Sequence, residues 1–147
     1  MSYKRNEILD KIKTKLQTIT SADGYENDVQ LVTRRFLDLS QIENFPTICV
    51  VGASGPIRPL ASDQYYESDL EFTIIAYVNP DRQLLKADDS VSEAVESILG
   101  DIQKCLLNDV RMGFDYVDNT TIDEIEPYYD WDSNIGVLFM TGHVLYN

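Results

Sequence analysis

The feature that most constrains the fold is residues 67–78, with the sequence ESDLEFTIIAYV. Apolar side chains occupy every second position, and acidic or hydroxyl side chains lie between them as far as Thr73. Because successive side chains of a strand point to opposite faces, this alternation predicts a β-strand with one buried face. From Ile75 onward both sets of positions are apolar, which favours a central strand covered on both faces. The predicted core positions are Leu70, Phe72, Ile74, Ala76 and Val78.

Two amphipathic helices are predicted, the first at residues 4–19 and the second beginning at Ser90. In both, apolar residues recur at spacings of three and four, so each helix should bury one stripe. Ser90 and Glu93 match the capping-box motif of a helix start.

Four further strands are predicted from alternation or short apolar runs: residues 29–36, 47–51, 114–125 and 136–146. The first should lie at an edge or project from the body of the domain. The second should pair with residues 67–78 because sequential strands are usually neighbours. The last is apolar at both sets of positions, so we expect it to be covered on both faces. The order α-β-β-β-α-β-β predicts a single α+β domain over residues 1–147, with two helices packed on a mostly antiparallel sheet of about five strands.

Two stretches, residues 52–63 and 126–134, have no apolar period and are predicted to be loops. A loop as long as the first is either functional or disordered, and we expect residues 53–66 to become ordered on contact with neighbouring proteins. Tyr and Trp are over-represented at protein interfaces, and here they cluster in or beside these loops. The predicted interface residues of these regions are Arg58, Tyr65, Tyr66, Tyr128, Tyr129 and Trp131.

The charge is divided unevenly along the chain. The net charge is −13, but residues 1–20 carry +3 and the remainder −16. An acidic chain is unsuited to binding phosphate backbones, which needs clustered Lys and Arg. The division suits solubility alone, or head-to-tail contacts between copies in which Lys11, Lys13 and Lys15 take part.

The sequence carries no catalytic motif, and we expect neither an enzyme nor a cofactor. Residues 52–56, GASGP, resemble a nucleophile elbow, but Pro56 stands at the fifth position and no helix is predicted to follow. The only histidine, His143, lies in the last predicted strand. Cys49 and Cys105 fall at apolar positions of regular elements, which predicts buried thiols.

Acidic residues raise two further alternatives. Residues 130–136, DWDSNIG, resemble the opening of a calcium loop, but Gly is at position seven instead of six, and a turn between strands explains the same residues. Asp118, Asp123, Glu124 and Glu126 are interleaved with polar residues, which predicts a solvated face and not an acid–base pair.

The N-terminus lacks the apolar region of a signal peptide, and the apolar runs are too short to span a bilayer. We therefore expect a cytosolic site of synthesis and no membrane partner.

With this order of elements, the chain resembles the tail terminator proteins of long-tailed bacteriophages. The matching features are the first amphipathic helix, the Pro-rich loop at residues 52–63 and four short sequences. These are FPTICV at residues 45–50, DLEFTIIAY at 69–77, DIQKCL at 101–106 and the closing VLY at 144–146. The resemblance implies a virion protein, assembled in the host cytoplasm, that forms a hexameric ring at the head-proximal end of the tail. Such a ring stops polymerisation of the tail tube protein and docks the head–tail connector.

The resemblance also implies a negatively charged channel through which DNA passes without binding. On that basis the lumen-facing acids are expected among Asp69, Glu71, Asp118, Asp123 and Glu124. The acidic aromatic stretch around Trp131 departs from the family. Two alternatives stay open, namely a head-completion or neck protein of the same kind of particle, and a monomeric acidic adaptor that binds one partner protein.

Overall fold

The computed structural model describes residues 3–53, 57–59, 66–82 and 90–147. In chain order the regular elements are α1 (Tyr3–Leu16), β1 (Leu31–Thr33), β2 (Thr47–Ala53), β3 (Ile57–Pro59), β4 (Tyr66–Val78), α2 (Val91–Leu107), β5 (Val117–Asp130) and β6 (Ile135–Tyr146). Short 3-10 turns at Ser21–Asp23 and Leu39–Gln41 lie in the connections on either side of β1.

The strands form one sheet with the order β1-β2-β4-β6-β5, and β3 pairs with the first residues of β4. Only β1 and β2 pair in parallel, and every other described pairing is antiparallel. The α+β class, the central position of β4, the edge position of β1 and the pairing of β2 with β4 are confirmed. The described part adds one short strand, β3, to the predicted five.

Both helices pack on one face of the sheet, called here the core face. The five alternating positions predicted in β4 are all fully buried there. They meet the apolar stripes of α1 and α2 in a single cluster, to which β6 contributes Leu138, Met140 and Val144. The predicted capping box is present, because Ser90 accepts the N–H of Glu93 and the Glu93 side chain accepts the N–H of Ser90.

The opposite face, called here the outer face, is only partly covered. The segment between β1 and β2 places Ile42 and Phe45 over Cys49, Ile75 and Tyr77. The end of β4 is therefore covered on both faces, as predicted. The same expectation for β6 is wrong: its outer-face residues are half-buried throughout, since the covering segment lies over β2 and the end of β4 and protects β6 only in part.

The predicted loop at residues 126–134 is mostly strand. β5 runs to Asp130, and only residues 131–134 form the turn to β6. β5 is an edge strand of the sheet, where a proline without an N–H and many charges are tolerated, so Pro127 did not end it.

The predicted loop at residues 52–63 is also partly strand, because β2 continues to Ala53 and Ile57–Pro59 forms β3. The rest of that stretch, with Tyr65 and the side chains of Arg58 and Tyr66, lies outside the described residues.

Candidate functional site

The outer face of the sheet gathers carboxylates from two strands around a histidine of a third. In the register of β4 and β6, Glu71 lies opposite His143 and Thr73 opposite Thr141. In the register of β5 and β6, Glu124 lies opposite Thr141 and Glu126 opposite Phe139. With Asp69 and Asp123 these side chains form the acidic outer face, whose carboxylates are Asp69, Glu71, Asp123, Glu124 and Glu126.

His143 is held between three of these carboxylates. Its Nδ1 lies 2.6 Å from Oδ1 of Asp69. Its Nε2 lies 3.1 Å from Oδ2 of Asp123 and 3.8 Å from Oε1 of Glu71. The β5–β6 register shifts between Ile122 and Glu124, and the extra residue at this irregularity is Asp123. The bulge therefore accounts for a carboxylate beside the ring that regular alternation would not have supplied.

The cluster favours the charged form of His143. Burial by itself lowers the pKa of the imidazole, but the hydrogen bond and charge of Asp69, with the charges of Asp123 and Glu71, outweigh burial. The pKa of His143 is therefore raised above its usual value. A protonated ring carries an N–H on each nitrogen and can donate to carboxylates on both sides.

Beside this cluster lies an open depression of about 490 Å³, lined by Thr73, Glu124, Glu126, Tyr128, Phe139 and Thr141. The Tyr128 and Phe139 rings meet edge to face with centroids 5.5 Å apart. The Tyr128 hydroxyl donates to Glu126 at 3.1 Å, and this hydrogen bond raises the pKa of Tyr128. Carboxylates and ring faces both attract cations, so the depression suits a positive group and disfavours an anion.

Four of the five acids predicted to face a lumen share the outer face, namely Asp69, Glu71, Asp123 and Glu124. Asp69 was expected to be exposed, and that is wrong. It is only 7% exposed, because its carboxylate is taken up by His143. Asp118 lies apart at the start of β5, where it accepts from the Asn147 side chain at 3.2 Å.

The three predicted contact lysines of α1 do not form one patch. Residues four apart on a helix are neighbours and residues two apart are not, so Lys11 and Lys15 share one flank and Lys13 lies on another. Lys15 Nζ donates to the Asp109 carbonyl at 3.2 Å, beside the end of α2.

The predicted aromatic cluster is divided between the two faces of the sheet. Tyr128 lies in the depression on the outer face, whereas Tyr129 packs against the core cluster on the helix side. Trp131 stacks on Tyr129, with ring centroids 4.9 Å apart and an interplanar angle of 18°. Trp131 is 68% exposed.

The turn at residues 131–134 explains the calcium-like sequence. The Asp130 carboxylate accepts the N–H groups of Asp132 and Ser133, and the bonds from Ser133 come first among the causes that lower the pKa of Asp130. In the described part of the chain, no group of three or more His, Cys, Asp or Glu residues is arranged to hold a metal ion. Cys49 and Cys105 are buried free thiols as predicted, and burial raises the pKa of each.

Sequence reasoning missed His143, Glu126 and the two threonines of the depression as members of one site. The alternation of β4 and β6 shows which of their residues share a face. It does not show which residue lies opposite which, and the register alone joins Glu71 to His143 and Thr73 to Thr141.

No protein-family model and no curated protein matches the chain. Among the described residues, no helix is both long and apolar enough to cross a membrane.

Proposed function

We propose that this chain is a structural protein of a phage virion that forms a ring, caps the tail tube, stops its polymerisation and docks the head connector. The observation that carries the proposal is the acidic outer face, a sheet face that α1 and α2 leave uncovered and on which five carboxylates gather. The resemblance of the sequence to tail terminators supplies the particular role.

The acidic outer face suits the wall of a channel through which DNA passes. A like-charged wall keeps a polyanion from binding, whereas Lys and Arg would hold it through counterion release. Several bases of the chain are engaged elsewhere, where they donate to backbone carbonyls and leave carboxylates un-neutralised. These are Lys15 to Asp109, Arg82 to Glu43, Lys104 to Gly24 and Arg111 to Val117.

The proposal is tested by separating ring formation from DNA delivery. Native mass, measured on the protein alone and mixed with a tail-tube protein, should show a closed ring, and a strict monomer in both would overturn it. Glu124→Lys with Glu126→Lys should leave the ring intact and slow DNA delivery by particles assembled with the variant. Both side chains are exposed, where substitutions change stability by within about 0.5 kcal/mol.

Glu96→Lys, on the exposed side of α2, makes the same kind of charge change away from the outer face and should affect neither assay. If the paired variant blocks ring formation instead, these acids lie in a subunit contact and not in a lumen. If it behaves normally in both assays, they serve solubility alone.

A further inference from the structure

The turn between β5 and β6 presents an exposed indole that is already fixed in place. We call residues 129–134 the hairpin tip. Trp131 is the most exposed large hydrophobic residue in the part of the chain that the structure describes. Its ring stacks on Tyr129, which in turn packs against the core cluster. An aromatic side chain that is rigid before binding loses little entropy on binding, which is typical of an interface anchor.

The hairpin tip is also acidic. Asp130 is occupied by the N–H groups of the turn, whereas Asp132 is exposed and has no side-chain partner among the described residues. A carboxylate beside exposed ring faces attracts Lys or Arg through an ion pair and a cation–π contact together. The tip therefore suits a basic surface.

The chain itself carries such a surface on α1. Lys4, Lys11 and Lys15 are spaced by seven and four residues, which puts them on one flank of the helix. The two outer lysines are partly engaged, with Lys4 Nζ over the Tyr116 ring at 5.2 Å and Lys15 bound to the Asp109 carbonyl. Lys11, between them, has no partner within the described ranges.

One copy cannot join its own tip to its own α1. Both ends of α1 lie beside the start of β5. Lys4 contacts Tyr116 just before the strand, and Lys15 contacts Asp109, whose neighbour Val110 accepts from Thr120. The tip lies at the other end of β5, 14 residues away, which is about 45 Å at the rise of a strand.

From this arrangement we infer that the hairpin tip of one copy docks on the Lys11 flank of α1 in a second copy. The contact is head-to-tail, so repetition gives a ring where the rotation closes. The inference rests on the proposed ring and names the surface that builds it. Because Tyr129 and Trp131 lie on the helix side of the sheet, the contact leaves the acidic outer face uncovered.

Trp131 is the only tryptophan, so its fluorescence reports the contact directly. As the native mass rises with protein concentration, the emission should shift to shorter wavelength. Trp131→Ala should weaken self-association at least about 30-fold, the effect of a hot-spot residue. Trp131→Phe, which keeps an aromatic ring, should weaken it less.

Charge reversal tests the pairing itself. Lys11→Glu and Asp132→Lys should each weaken self-association, and an equimolar mixture of the two variants should recover part of it, because reversed charges then meet. Lys13→Glu is the matched control, since it makes the same change on another flank of α1, and it should associate like the wild type.

The outcomes separate this contact from the proposed function. Assembly with unchanged tryptophan emission, and with Trp131→Ala assembling like the wild type, overturns the contact and leaves the ring role standing. Self-association through the tip by a protein that does not cap tail tubes supports the contact and overturns the role. Failure to associate at any concentration, alone or with a tail-tube protein, overturns both.

Discussion

The two faces of the sheet differ in the burial and polarity of their side chains. On the core face, side chains from β2, β4 and β6 are fully buried against two helices. On the outer face, β4, β5 and β6 present carboxylates, threonines and a histidine that are half-buried or exposed, except for the buried Asp69. Apart from Asp69, the described strand residues that are buried on that face are those at the end of β4 and their partners on β2, under the segment between β1 and β2. Close packing restricts the side chains of the core face, because a change in volume of one methyl group there affects stability.

The outer face is distinguished by its charge. Close carboxylates repel one another, and their placement on a single face gains nothing from packing. The contrast indicates that the core face specifies the fold and that packing does not determine the outer face. The predictions below test this division, from the largest expected effect to the smallest.

The largest effect is expected at Asp101, which joins α2 to the connection between α1 and β1. This carboxylate on α2 is 5% exposed and accepts the backbone N–H groups of Glu26 and Asn27 at 2.9 to 3.1 Å, and the Asn27 side chain at 2.8 Å. Asp101→Ala removes the acceptor of two backbone N–H groups, of which that of Asn27 is buried, and we expect a loss of about 3 kcal/mol in the free energy of unfolding. Denaturant titration measures it. Glu96→Ala, exposed on the same helix, should stay within about 0.5 kcal/mol, and equal losses in both would contradict the assignment.

A smaller loss is expected at Gly136, where β6 passes close under α2. A Cβ there would lie 2.4 Å from Cγ2 of Val95 and 3.0 Å from Cγ2 of Val78. Gly136→Ala should therefore cost about 2 kcal/mol of unfolding free energy through overpacking. Gly100→Ala makes the same change on the exposed side of α2, where a Cβ meets nothing within 4 Å. It should raise stability by about 0.5 to 1 kcal/mol, as expected for alanine in a helix. If both changes stabilise, the core face is less tightly packed than described.

The core face could be predicted from the sequence because the patterns that specify it are local. Three patterns each involve residues that are close together in the sequence, and each prediction is confirmed. They are the alternation in β4, the apolar stripes of the two helices and the Ser90–Glu93 capping box. Burial of Cys49 and Cys105 followed from the same patterns.

The outer face could not be predicted as a site because its residues are brought together by long-range strand pairing. β4 and β6 pair across more than 55 intervening residues, so nothing in either segment indicates that Glu71 meets His143. The bulge that brings in Asp123 breaks the alternation from which faces are predicted. The polar composition of residues 126–130 predicted a loop. These residues form a strand because β5 lies at the edge of the sheet, where pairing with β6 on one side holds a strand of low intrinsic propensity.

The smallest effect is expected at His143, where the outer face contributes to stability through charge. The surrounding carboxylates raise its pKa in the folded chain. A group whose folded pKa is raised contributes stability that is fully present below its unfolded value of about 6.5 and is lost as the pH rises through the folded pKa. The contribution should be within about 1 kcal/mol, as for partly exposed ion pairs. Stability measured from pH 5.5 to 8.5 should fall across this window, and His143→Gln should remove that slope.

The titration itself can be followed without interference, because His143 is the only histidine and gives a single set of imidazole resonances. Its pKa by NMR should lie above 6.5 in the wild type and should fall in Asp69→Asn, which removes the closest carboxylate. Asp118→Asn is the matched control, since it neutralises an acid at the start of β5 that does not contact the ring, and it should leave the pKa unchanged. A pKa at or below 6.5 in the wild type would show that burial outweighs the three carboxylates. The outer face would then carry its negative charge undiminished near neutral pH.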